Sequence, residues 1–154
     1  MKSLLEQPNW HTTPMPQVPV TRAAAQKWLD AYVTAWKSYD ERAIADLWSE
    51  AAVWHYPFQT RALGREEIVA EWMSERDAFV GESFDAKYYP VVVEGERVVA
   101  HGRTIFYEPG TDRVVTAYDN IWFLRFDDLG RCSEFHEWYP GRPEDEPDRA
   151  VPER

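Results

Sequence analysis

Residues 117–139, AYDNIWFLRFDDLGRCSEFHEWY, decide the fold: they read as two long strands joined by a tight turn at Asp127-Asp128-Leu129-Gly130. On the first strand one face carries Tyr118, Asn120, Trp122, Leu124 and Phe126, and the other Ala117, Asp119, Ile121, Phe123 and Arg125. Both faces are largely apolar, whereas a sheet with one solvated side alternates more cleanly. The pattern predicts a sheet covered on both sides, by helices or a ligand on one face and by another sheet or subunit on the other. On the second strand Glu137 shares a face with Phe135 and Tyr139. Burying a carboxylate in such company is costly, so partners or a task must hold it there.

Upstream of this hairpin, residues 83–92 and 97–107 read as two further strands. Turns fall near Glu94-Gly95 and at Glu108-Pro109-Gly110-Thr111-Asp112, and Pro90 marks a bulge or a frayed end. Further back, Thr21 caps a helix whose apolar positions Ala25, Trp28, Leu29, Tyr32, Val33 and Trp36 follow helical spacing. Asp40 caps a short second helix presenting Ala43, Ile44, Leu47 and Trp48. Residues 52–56 form a short strand that Pro57 stops at a sheet edge or rim, and a loop follows. Gly64-Arg65-Glu66-Glu67 opens a third helix with Ile68, Val69, Trp72 and Met73 on one side. The order helix, helix, strand, helix and then four strands is an α+β layout, with helices packed on a curved antiparallel sheet.

This places one domain at residues 21–139. Residues 1–20, with Pro8, Pro14, Pro16 and Pro19, read as an extended arm, and the Pro-rich, charged residues 140–154 as a disordered tail.

A net charge of −10, from 27 acidic and 17 basic residues, argues against a nucleic-acid partner, because phosphate binding runs on clustered Lys and Arg. No membrane-length apolar run and no signal-peptide core are visible, so a soluble, cytoplasmic chain is expected. Cys132 is the sole cysteine, which leaves no intrachain disulfide and no cysteine metal cluster. The histidines show no HxxxH, HxH or His-acid spacing that convinces as a metal set, and no glycine-rich phosphate loop exists. The expectation is therefore no metal and no cofactor. Eight Trp in a chain that is 15% aromatic point to a core or a cavity lined by rings.

The segments AYVTAWKSYDERAIADLWSEAAVWHYP, ALGREEI and YDNIWFLRFDDLGRCSEFHEWY resemble the nuclear transport factor 2-like superfamily. That group includes the SnoaL-like polyketide cyclases, ketosteroid isomerases, scytalone dehydratases and limonene-epoxide hydrolases. The resemblance implies a cone-shaped half-barrel with three N-terminal helices closing a pocket over the concave sheet face, in a homodimer built on the convex face. It also implies an inward set of Trp54, Tyr56, Val99, His101, Arg103, Ile105, Tyr118, Asn120, Trp122, Phe135, Glu137 and Tyr139. Tyr32 and Trp72 would close the pocket from the helices, and Ile121, Phe123, His136 and Trp138 would meet the partner subunit.

Carried over position by position, the subfamilies match in part. Tyr32 falls at the oxyanion-hole tyrosine of ketosteroid isomerases, but Tyr56 stands in place of their basic aspartate and Trp122 in place of their acidic donor. Arg103 and Glu137 fit two of the positions of a limonene-epoxide hydrolase relay, with Ile105 in place of its first Asp. Tyr56 and His101 align with a Tyr and a His of scytalone dehydratases, while Lys37 and Tyr88 replace another acid and His.

The resulting expectation is a cofactor-independent lyase, isomerase or hydrolase acting on a small hydrophobic or aromatic molecule. Glu137 and His101 would exchange protons, with Arg103 and Tyr56 beside them. Tyr32, Trp54, Trp72, Tyr118, Asn120, Trp122 and Phe135 would hold the substrate. Two alternatives stay open: a non-catalytic binder or accessory subunit, in which Arg103 and Glu137 merely pair, and the opposite facing of the third strand. In the latter Val98, Ala100, Gly102, Thr104 and Phe106 point inward and the polar set lies outside.

Overall fold

A computed structural model describes residues 18–56, 59–79 and 81–139, so the arm up to residue 17 and the tail from residue 140 lie outside the described residues. Helix α1, Arg22–Ser38, starts where Thr21 Oγ1 accepts the Ala24 amide at 3.1 Å, and it buries Ala25, Trp28, Leu29, Tyr32 and Ala35. Helix α2, Glu41–Asp46, starts where Asp40 Oδ1 accepts the Ala43 amide at 2.7 Å. Helix α3, Arg65–Phe79, follows Gly64, whose φ of 84° suits a residue without Cβ, and buries Ile68 and Trp72.

The strands are β1 Trp48–Tyr56, β2 Gln59–Leu63, β3 Ser83–Glu94, β4 Arg97–Tyr107, β5 Val114–Phe126 and β6 Cys132–Trp138. They form one sheet in the order β2-β1-β6-β5-β4-β3. The expected cone architecture is present as an open sheet, with one amendment: the β1–β6 pair is parallel, so the sheet is mixed and not wholly antiparallel.

Two further boundaries differ from the sequence reading. Trp48 is not on the second helix but opens β1, fully buried, where Leu47 O accepts the Cys132 amide at 2.8 Å and Trp48 stands opposite Cys132. The stretch after Pro57, expected as a loop, is β2; it pairs antiparallel with β1 through Val53–Leu63 and Trp54–Ala62. Pro90 marks a bulge, as expected, and it lies on the edge strand β3, where its missing N–H is tolerated.

The core is a cluster of rings between the helices and the concave face. Tyr32 lies parallel over Phe135 at 5.7 Å and against Trp122 and Trp72 at 4.8 and 4.9 Å, while Trp28 packs edge-on against Trp48 at 5.8 Å. Most of the described tryptophans are buried in this packing. Among the described residues no helix is long and apolar enough to cross a membrane.

Candidate active site

Strand pairing decides which side chains enter the concave face. Gly102 on β4 stands opposite Asn120 on β5, Ala100 opposite Trp122, and Trp122 in turn opposite Glu137 on β6. Directly opposed residues share a face, so the concave side carries Val98, Ala100, Gly102, Thr104 and Phe106 from β4. His101 and Arg103 therefore project from the convex side, which corrects their assignment to the pocket, and Val99 and Ile105 alternate outward with them. The cause is a bulge. Tyr107 pairs with Val114 but Phe106 with Thr116, so Val115 is an extra residue on β5. Continued without that insertion, the hairpin register would set His101 opposite Asn120; the insertion sets it opposite Ile121.

Outside the pocket, Arg103 Nε donates to Asp119 Oδ1 at 2.8 Å, and His101 Nε2 lies 4.0 Å from the same oxygen. The Asp119 carboxyl is held below its ordinary range chiefly by that hydrogen bond from Arg103. Arg103 thus pairs with Asp119, not with Glu137.

Within the cone lies a cavity of about 640 Å³, lined by side chains of α1, α3 and the sheet. Tyr32, Trp54, Tyr56, Trp72, Tyr118, Asn120, Trp122 and Glu137 all reach it, as expected. Phe135 does not: it is fully buried beneath Tyr32 and supports the floor. The sequence reading missed Trp36, Tyr39, Glu75 and Phe79 from the helices, whose approach depends on helix packing that no local pattern encodes. Thr104 and Phe106 could have been found from the small, apolar alternate face of β4.

Glu137 is the polar centre of this cavity. Its Oε1 accepts from Asn120 Nδ2 at 3.0 Å and from Trp122 Nε1 at 3.1 Å. Burial pushes the carboxyl up to about 7, although both hydrogen bonds favour the charged form and oppose the rise. The charge of Glu75 on the cavity wall adds to the rise and that of Arg61 opposes it. Arg61, on β2, pairs with Glu71 and Glu75 of α3 and lies over the Tyr56 ring at 4.9 Å. Burial raises the Tyr32 and Tyr56 hydroxyls well above their ordinary value, so both stay protonated near neutrality and can donate.

The packing behind the Trp122 wall depends on a glycine. A Cβ at Gly102 would overlap the Tyr88 ring and the Lys87 carbonyl. Its absence lets Tyr88 lie flat across β4, stacked on Trp122 at 3.9 Å and hydrogen-bonded through its hydroxyl to Thr104 Oγ1 at 2.5 Å. Asn120 Oδ1 and the Trp54 and Trp72 indole N–H groups are buried with no hydrogen-bond partner among the described residues.

Comparison with known proteins agrees with this fold. An LEH-like epoxide hydrolase from M. tuberculosis is 14% identical over 77% of this chain and 84% of its own, with a TM-score of 0.60. A SnoaL-like protein of unknown function from Burkholderia thailandensis E264 is 17% identical over 80% and 100%, at 0.61. A proposed ketosteroid isomerase from Kribbella flavida DSM 17836 is 18% identical over 86% and 87%, at 0.57. At these identities the likeness is one of fold. No curated protein matches the chain. The SnoaL-like domain matches residues 29–135, most of the span that carries the cone and its cavity, and the chain belongs to this family of the nuclear transport factor 2-like superfamily.

Proposed function

We propose that the protein is an enzyme that moves a proton on a small, largely apolar organic molecule held in the cone, with Glu137 as the acid/base group. One observation carries this reading: a carboxyl group reaches an aromatic-lined cavity, held by two neutral donors and with no cation in hydrogen-bond contact among the described residues, and burial brings its pKa to about 7. A group poised near the working pH is half-ionised, able to take a proton from carbon or water and return it to oxygen.

The supporting cast follows from the same geometry. With Nδ2 committed to Glu137, Asn120 Oδ1 is available to accept from a substrate hydroxyl or N–H. Tyr56 and Tyr32 can donate to an oxygen on which negative charge develops. The volume suits a molecule of a few fused or linked rings. Such a site fits a lyase, isomerase or hydrolase step, and the epoxide hydrolase and proposed isomerase among the structural neighbours share the fold that supports it. Ile121, Phe123 and Trp138, exposed on the convex face, support a homodimer built through that side.

The test is a panel of cyclic epoxides, β,γ-unsaturated ketones and hydroxylated aromatic ketones, assayed for product and for quenching of Trp fluorescence. Turnover of one class by the wild type, lost in Glu137→Gln with binding retained, is the expected result. Full activity in Glu137→Gln, or saturable quenching with no product from any class, would replace catalysis by simple ligand binding.

A further inference from the structure

We propose that His55, Glu134 and His136 form a divalent-metal site on the convex face, suited to zinc or another cation that takes imidazole and carboxylate ligands. The parallel β1–β6 pair sets His55 directly opposite His136, and Glu134 precedes His136 by two residues on the same face. Their ligand atoms all lie within 4.8 Å of one another. The two imidazoles stack with centroids 4.2 Å apart and planes 24° from parallel, which brings both rings to one place on this face. His136 Nε2 and Glu134 Oε1 are already 2.8 Å apart across a shared proton, whose place a cation would take.

The surroundings favour coordination. Thr60 Oγ1 lies 3.2 Å from His55 Nδ1, the kind of orienting contact that ligating histidines have. Arg125 approaches Glu134 at 3.7 Å, but its other nitrogen is 2.9 Å from buried Glu96, which balances the charge. Zinc bonds of about 2.0–2.1 Å imply ligand atoms about 3.4 Å apart, so the atoms that lie up to 4.8 Å apart would close by about 1.4 Å and the His136–Glu134 pair at 2.8 Å would open by about 0.6 Å. Three protein ligands leave a fourth position for water.

The site is separate from the proposed catalytic one, because His136 and Glu137 are neighbours on β6 and point to opposite faces. In sequence it shows only as Glu134-Phe135-His136, with His55 distant, which is why spacing along the chain predicted no metal.

The purified full chain, free of any affinity tag, is titrated with Zn2+ by calorimetry and with Co2+ by visible absorption. One ion per chain is expected, with cobalt ligand-field bands and a raised thermal midpoint. His55→Ala and Glu134→Gln, both at partly exposed positions, should each weaken binding by more than the about 10- to 100-fold that loss of an orienting neighbour costs. His101→Ala should leave it unchanged. Absence of stoichiometric binding to the wild type, or binding that persists in both variants, would overturn the assignment.

Discussion

Trp122 and Glu137 stand directly opposite one another on β5 and β6, and the indole Nε1 donates to the carboxylate Oε1 at 3.1 Å. A donor aimed at a carboxylate favours its charged form, so Trp122→Phe should raise the Glu137 pKa above about 7. The limb of the pH–rate profile that reports Glu137 ionisation should move to higher pH in this variant. An unmoved limb would dissociate Glu137 from the profile.

Removing the group outright should cost more. With Gln at position 137 the shape and the contact with Trp122 are largely kept but no proton can be exchanged. A fall in kcat of about 10²- to 10⁴-fold is expected, with little change in ligand affinity. Steady-state kinetics beside fluorescence binding separates the two quantities.

The same group makes stability depend on pH. Unfolded, Glu137 titrates near its ordinary value of 4.5; folded, it titrates near about 7. Between those values the native state binds more protons than the unfolded one, so this contribution is full below about 4.5 and declines as pH rises to about 7, beyond which it is lost. The span amounts to about 3 kcal/mol. Glu137→Gln should therefore gain stability relative to wild type at pH 8 compared with pH 5, as urea titration followed by Trp fluorescence would read.

Gly102→Ala tests the packing behind the Trp122 wall. Its new Cβ overlaps the Tyr88 ring and the Lys87 backbone, and one of them must move. A loss of about 1–3 kcal/mol is expected, as for other overpacked sites, together with weaker ligand binding as Tyr88 leaves Trp122. Urea denaturation and the quenching assay read the two effects.

His101→Ala and Arg103→Ala should leave turnover intact, since both side chains lie on the convex face. The exposed Arg103–Asp119 pair contributes about 0–1 kcal/mol, so stability should change little as well. A large loss of activity in either variant would contradict the strand register.

What was legible in the sequence was local. Thr21 and Asp40 announce their helices because an N-cap acts within three residues, and the turns before Arg97, Val114 and Cys132 announce themselves by glycine at positive φ. Glu137, Asn120 and Trp122 were found together because they lie on one hairpin with a single register. What failed was long-range. QTRAL has no strand signature of its own and becomes β2 by pairing with β1, and Trp48 leaves helical spacing because β6 captures it. His101 and Arg103 were lost to a bulge whose only mark in the sequence is a second consecutive valine.

That valine gives the fold a frame. Below Val115, every side chain of β4 takes its facing from one inserted residue, much as codons take their meaning from a reading frame. Shortening β5 by this residue would restore the unshifted pairing and rotate an imidazole and a guanidinium toward Glu137, while Gly102 and Thr104 turned outward. A cone of this kind can thus exchange an apolar wall for an ionisable one by a change of length, with no substitution in the wall itself.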